Sequence, residues 1–239
     1  MRLTTLLLTL LLTLPAFASD YAREQRWADE VIPAALVGDP VWLQQENGHK
    51  FLGLYTEAPQ AKAAILIVHG RGVHPDWNLI GTLRQRLPEM GYTTLSLQMP
   101  VLAAEAVNKD YPPTFPEAAS RIAEGVAFLQ AHGYKKVILD SHSLGCSMVE
   151  RYLELNPQAP VLTWMAIGAP GTLGSGRLKF PILDLTGEND LPDVLEARAR
   201  RTKTKGAFTQ ITAPGTNHFF DGHEQDLLDY ERAFLERTL

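Results

Sequence analysis

Hydrophobic positions along this chain alternate between two periods. Val41-Trp42-Leu43-Gln44-Gln45 and the run from Phe51 to Tyr55 flank Glu46-Asn47-Gly48. Asn and Gly both tolerate positive φ, so this stretch predicts a β-hairpin. Ala63 to Val68 is apolar throughout, the pattern of a central strand covered on both faces. Trp77, Ile80, Leu83, Leu87 and Met90 then recur at spacings of three and four, predicting a helix that ends at Gly91. The same alternation continues to the C-terminus. Strands are expected over Thr93 to Leu97, Lys136 to Leu139, Val161 to Ile167, Pro181 to Leu185 and Phe208 to Ile211. Helices are expected over Phe115 to Leu129 (closed by Gly133), Leu144 to Leu155 and Asp193 to Thr202, with a last one marked by Leu227, Leu228, Phe234 and Leu235. Only the region before Val41 lacks a clear pattern. Strands alternating with helices predict an α/β architecture, a doubly wound, mostly parallel sheet of about eight strands with helices on both faces.

The first residues read as an address. Met1-Arg2 supplies a positive end, Leu3 to Leu14 is apolar apart from four threonines, and Pro15 precedes Ala16-Phe17-Ala18. This is the pattern of a secretory signal peptide cleaved after Ala18. The apolar run is too short to cross a bilayer, which needs about 20 residues. Residues 1–18 are therefore expected to be a signal and residues 19–239 one mature domain. The expected location is periplasmic or secreted, with no stable membrane insertion after cleavage.

Composition narrows the picture. The chain has 239 residues, 45% hydrophobic and 21% charged, which is ordinary for a folded domain and excludes disorder. A net charge of −5 speaks against nucleic acid as a partner. The single cysteine, Cys146, excludes an internal disulfide and a cysteine-based zinc site, and is expected to be a small buried residue. Histidine pairs such as His69 with His74 lack a third ligand, so no metal is expected. Arg198, Arg200, Arg201, Lys203 and Lys205 read as a solvated helix end.

In doubly wound sheets, chemistry gathers beyond the carboxyl ends of the strands. Lys136 to Leu139 runs into Asp140-Ser141-His142-Ser143-Leu144-Gly145 at the start of a helix. This is G-x-S-x-G with Ser141 in place of the first glycine. The motif holds a nucleophile on a strained strand-to-helix turn, which requires small neighbours. After the strand ending near Leu185 come Glu188 and Asp190. A carboxylate there can hold an imidazole in one tautomer. Asp190 is the first candidate and Glu188 the second, while Asp184 lies within the strand and reads as structural. After Ile211 comes Gly215-Thr216-Asn217-His218, with His218 the candidate base and His223, near the start of the final helix, the alternative.

The order Ser…Asp…His, each at a separate strand end, resembles that of the α/β-hydrolases. More narrowly, His69-Gly70-Arg71-Gly72-Val73-His74-Pro75-Asp76-Trp77 and Thr94-Leu95-Ser96-Leu97-Gln98-Met99-Pro100 resemble an exported bacterial α/β-hydrolase-like family of uncharacterised function. The resemblance implies Ser143 as nucleophile, Asp190 as acid and His218 as base. It implies an oxyanion hole from the amides of Leu144 and Arg71. Gly70, Gly72, His142 and Tyr111 are candidate pocket residues, and His69 reads as a packed strand-end residue. The segment His74-Pro75-Asp76-Trp77 either lines the pocket or starts the next helix with Asp76 as its cap. Ser141 is the departure from the pattern and bears on the geometry of the turn.

The stretch between Ile167 and Pro181 is too short for a large cap domain. The longer connection, Val101 to Thr114, could edge an open cleft suited to an exposed or polymer-attached acyl ester. The expected function is an exported serine hydrolase of the carboxylesterase type, acting without a cofactor on a small-molecule or polymer-attached acyl ester. The alternative is a non-catalytic binding or envelope-associated protein on the same fold.

Overall fold

The protein is described by a computed structural model covering residues 19–201 and 208–239. The expected signal sequence lies outside these residues, as do Lys203 and Lys205 of the basic cluster. Eight strands form one sheet: β1 (Asp39–Gln44), β2 (Lys50–Thr56), β3 (Ala63–Val68), β4 (Tyr92–Leu97), β5 (Val137–His142), β6 (Val161–Ile167), β7 (Ile182–Asn189) and β8 (Phe208–Asn217). Their spatial order is β1-β2-β4-β3-β5-β6-β7-β8. The opening hairpin pairs antiparallel and β2 meets β4 antiparallel, while every later pair is parallel.

The helices are α1 (Tyr21–Ala34), α2 (Asn78–Arg86), α3 (Phe115–Ala131), α4 (Leu144–Leu155), α5 (Pro192–Arg201) and α6 (Glu224–Thr238). They explain the unbroken apolar run of β3. Ala64, Leu66 and Val68 point into the core under α3 and α4. Ile65 and Ile67 point to the opposite face, among Leu79, Leu83, Phe234 and Leu235 of α2 and α6. A strand buried on both sides cannot alternate polar and apolar residues. The connection between β6 and β7 carries only a 3-10 turn, Leu173–Gly176, and no cap domain.

Four features depart from the sequence expectations. The segment before β1 forms α1, which lays Ala28 and Val31 on Leu52 and Leu54 of β2. Its buried face also carries Glu24, which receives Arg121 of α3 at 2.9 and 3.1 Å. The expected helix from Trp77 splits into α2 and a 3-10 turn, Leu87–Met90, stopped by Gly91 in the left-handed region. Asp76 does not cap α2; its carboxylate takes the guanidinium of Arg84 at 2.6 Å. Finally, Arg201 is not solvated. It is buried in a forked pair with Asp184, at 2.9 and 2.6 Å, and also donates to the carbonyls of Ala169 and Gly171. Asp184 is thus structural, as expected.

One buried pair lacks such compensation. Asp140 on β5 and Glu231 on α6 are fully buried, and none of their four carboxylate oxygens has a hydrogen-bond partner. Burial pushes Asp140 up to about 8 and raises Glu231 well above the usual carboxylate range, with the Asp140 charge adding to the rise. The folded state therefore holds protons that the unfolded chain releases from about pH 4 upward. The contribution of this pair to stability is present in full below about pH 4 and is lost as pH rises towards 8. Thermal unfolding followed by circular dichroism should show this decline in the wild type. The double variant Asp140→Asn/Glu231→Gln should flatten it, gaining several degrees in Tm at pH 9 and little at pH 5. An equal slope in both proteins would contradict the assignment.

Candidate active site

Strand register assembles the site. His142, the last residue of β5, pairs with Ile167, the last residue of β6, so Ser143 emerges beside Gly168. Val68 of β3 pairs with Ser141, which brings Gly70 to the same place. At the far edge, Asn189 pairs with Asn217 across β7 and β8. The next residue on each strand, Asp190 and His218, therefore start as neighbours. Sequence reasoning ended both strands several residues early, because Gly187-Glu188-Asn189 and Gly215-Thr216-Asn217 look like turn residues. Pairing with the adjacent strand overrides that preference.

Ser143 occupies the turn between β5 and α4 with φ 57° and ψ −127°. This backbone is strained for a residue with a side chain. Three contacts hold it there. Its N–H donates to the Ile167 carbonyl at 2.8 Å, and its carbonyl accepts from Cys146 N–H at 2.9 Å. Gly145 lies so close to β3 that a Cβ on it would come within 2.5 Å of the Val68 carbonyl oxygen. The result is a half-buried serine whose Oγ lies 2.9 Å from His218 Nε2. His218 Nδ1 lies 2.6 Å from Asp190 Oδ1. Asp190 can only accept there, so Nδ1 carries the proton and Nε2 is left free to accept from the serine. The amides of Leu191 and Gly187 donate to the two Asp190 oxygens and fix the carboxylate.

The other candidates take defined places. Glu188 accepts from Gly215 N–H, and His223 pairs with Asp226 on the surface; neither joins Ser143. Leu144 is the first residue of α4, so its N–H has no acceptor within the helix. A Cβ on Gly70 would lie 3.0 Å from Ser143 Cβ and 3.6 Å from Leu144 N. Arg71 follows on that loop with an exposed side chain. The carbonyl of Gly72 accepts from Arg23 of α1, which also donates to the Leu102 carbonyl at 2.8 Å. The N-terminal helix thus pins the loop that faces the serine.

His142 and Tyr111 are both buried. His142 is buried beneath His218, with ring centroids 4.6 Å apart, and donates from Nε2 to the His218 carbonyl at 2.9 Å. Tyr111 is buried in the core, where its hydroxyl accepts from Leu102 N–H. His69 donates from Nδ1 to the Gly70 carbonyl and accepts the Met99 N–H at Nε2, tying β3 to β4 beneath the loop. Burial pushes His69 and His142 each down to about 3, so both remain neutral struts.

Ser141, the departure from the motif, has a packing reason. Its Oγ accepts the indole N–H of Trp164 at 2.8 Å and lies 3.2 Å from Cys146 Sγ. Trp164 is fully buried and needs that acceptor. Cys146 is buried as expected, and burial pushes its thiol up to about 12. Sequence reasoning missed Gly168. It sits at φ 58°, and a Cβ there would strike His218 Cε1 at 2.8 Å and Nδ1 at 2.9 Å. The available signal was a glycine directly after a central strand. Two cavities of about 440 and 430 Å3 lie around the C-terminal end of α4, and neither includes Ser143, His218 or Asp190.

The eight-stranded, mostly parallel sheet matches known architectures. The chain has the α/β-hydrolase fold. Est1E from Butyrivibrio proteoclasticus superposes with a TM-score of 0.67 at 14% identity, covering 83% of this chain and 98% of that one. Dienelactone hydrolase from Anabaena variabilis gives 0.68 at 20%, covering 84% and 97%. A Xanthomonas campestris protein described as an α/β serine hydrolase without lid gives 0.61 at 16%, covering 85% and 96%. These likenesses show the fold. Residues 21–121 match a family described as a protein of unknown function (DUF3530). That stretch spans α1, the hairpin, the Gly70 loop and the start of α3. No curated protein matches the chain.

Two substitutions test this construction. Ser141→Gly restores the motif's glycine but strands the Trp164 N–H. It should lower unfolding free energy by about 1–3 kcal/mol, measured by denaturant titration. Gly168→Ala should leave the fold intact by circular dichroism yet displace the imidazole. The far-downfield proton NMR signal expected from His218 Nδ1–H should then disappear.

Proposed function

We propose that this protein is an exported serine hydrolase that cleaves carboxylic esters through an acyl-enzyme intermediate. The observation that carries the reading is the unbroken hydrogen-bonded chain from Ser143 Oγ through His218 to Asp190, on a strained and accessible serine. His218 Nε2 takes the hydroxyl proton as Ser143 Oγ attacks the ester carbonyl carbon. Negative charge develops on the carbonyl oxygen and meets the Leu144 and Arg71 amides. Such donors contribute roughly 2.7–4 kcal/mol each, because they act on charge present only in the transition state. Asp190 holds the imidazole in the productive tautomer and stabilises it once charged. The tetrahedral intermediate collapses, and His218 returns the proton to the departing alcohol oxygen. Water then enters, gives a proton to His218 and attacks the acyl carbon, releasing the acid and restoring Ser143.

Arg23 supports the same reading from a distance, since it braces the Gly72 carbonyl of the loop that supplies one donor. The sequence pattern of residues 1–18 supports export, and the cap-free β6–β7 connection suits esters presented on larger molecules. A fluorophosphonate probe reacts with a serine only where a base and oxyanion donors activate it. Purified protein should be labelled stoichiometrically, and labelling should fall by a factor of about 10³ or more in Ser143→Ala and His218→Ala. A folded wild type that resists the probe would defeat the hydrolase reading and favour a binding protein on this fold.

A further inference from the structure

The surface beside His218 carries an aromatic pair that the mechanism above leaves unused. Phe219 follows His218 and is 36% exposed. Its ring lies 5.0 Å from the His218 ring, and it meets the Trp77 ring edge-on at 5.3 Å. Trp77 is partly exposed and precedes α2. Scattered apolar residues on a surface need no explanation, but these two are held in place. Asp221 accepts from Asn78 Nδ2 at 3.2 Å and from Asn217 Nδ2 at 2.9 Å, bridging the start of α2 to the His218 loop. Asn217 Oδ1 in turn accepts the Phe219 N–H at 3.0 Å. Asn78 adopts φ 41° at the joint, a left-handed conformation that asparagine tolerates best among residues with side chains. A polar brace thus fixes two rings that remain open to solvent.

The position of the pair decides what it would touch. His218 Nε2 must hand its proton to the leaving oxygen, so the departing alcohol passes along the imidazole. The Phe219 ring lies 5.0 Å from that imidazole, close enough to meet a group carried on the departing alcohol. We infer that Trp77 and Phe219 form a shelf for a flat aromatic group on the leaving alcohol, making esters of aromatic alcohols the preferred substrates. The inference rests on the hydrolase reading and refines it. Aromatic rings packed offset or edge-to-face gain more than their buried area alone provides, enough for a preference of about five- to tenfold over a saturated ring of the same size.

The test compares benzyl acetate with cyclohexylmethyl acetate, which share the acyl group and differ in whether the ring is flat. The kcat/KM of the wild type should favour the benzyl ester by about five- to tenfold. Phe219→Leu and Trp77→Leu keep apolar bulk and remove the rings, and each should bring the ratio close to one. Trp42→Ala, at a distant exposed tryptophan on β1 at the opposite edge of the sheet, should leave the ratio unchanged. A wild-type ratio near one, or a ratio that survives both leucine variants, overturns the shelf. So does a preference for methyl phenylacetate over methyl cyclohexylacetate that the leucine variants abolish, because it places the aromatic group on the acyl side. In each of these cases fluorophosphonate labelling of the wild type keeps the hydrolase reading standing. Failure of that labelling removes both.

Discussion

Everything at this site depends on the backbone of one residue. Ser143 sits at φ 57° and ψ −127°, a conformation that costs of order 1–3 kcal/mol for a residue with a side chain. The surrounding structure must over-determine it. The sheet does so from one side through the Ile167 carbonyl, and α4 does so from the other through Cys146 N–H. Gly145 lets α4 approach the end of β3 more closely than any other residue would permit. The strain projects the serine hydroxyl out of the strand–helix junction, where an imidazole from a different strand can reach it.

Around that turn the protein uses neutral polar groups as braces. His69 and His142 are buried and uncharged, one held at both ring nitrogens beneath the Gly70 loop and the other bonded through Nε2 beneath His218. Burial keeps both rings neutral, because charging either one would strip a cation of its hydration. The charged braces stand further out and are paired: Arg121 with Glu24, and Arg201 with Asp184. The first pair fixes α1 to α3, and α1 carries the Arg23 that holds the Gly72 carbonyl. The uncompensated pair, Asp140 with Glu231, is the exception in this pattern, and Asp140 lies on β5, which runs into Ser143.

The sheet and the three strand ends were legible in the sequence because they follow from hydrophobic burial. The AAILIV run of β3 and the motif around Ser143 admit few other structures. The unpredicted parts share one physical feature, which is burial of polar groups by distant partners. α1 has no clean apolar stripe, since its buried face includes Glu24, whose partner Arg121 is 97 positions away. Arg201 looked like a solvated helix end because nothing local reveals its pairing with Asp184. Tyr111, in a proline-rich connection, looked like a rim residue, and its hydroxyl instead satisfies a backbone amide inside the core. His142, a candidate pocket residue in the sequence, is buried at the end of β5 beneath His218, a contact that only the assembled sheet creates. Gly168 acts only through space, so its importance emerges once β5, β6 and β8 are assembled.

The most direct test of the central claim is mass analysis of the protein quenched during turnover of p-nitrophenyl acetate. If the strained Ser143 and its His218–Asp190 partners form an acyl-enzyme, one acetyl group should appear per protein. It should map to the peptide containing Ser143 and vanish on longer incubation as water completes the cycle. Turnover without a covalent acetyl, or an acetyl on a different side chain, would contradict the account.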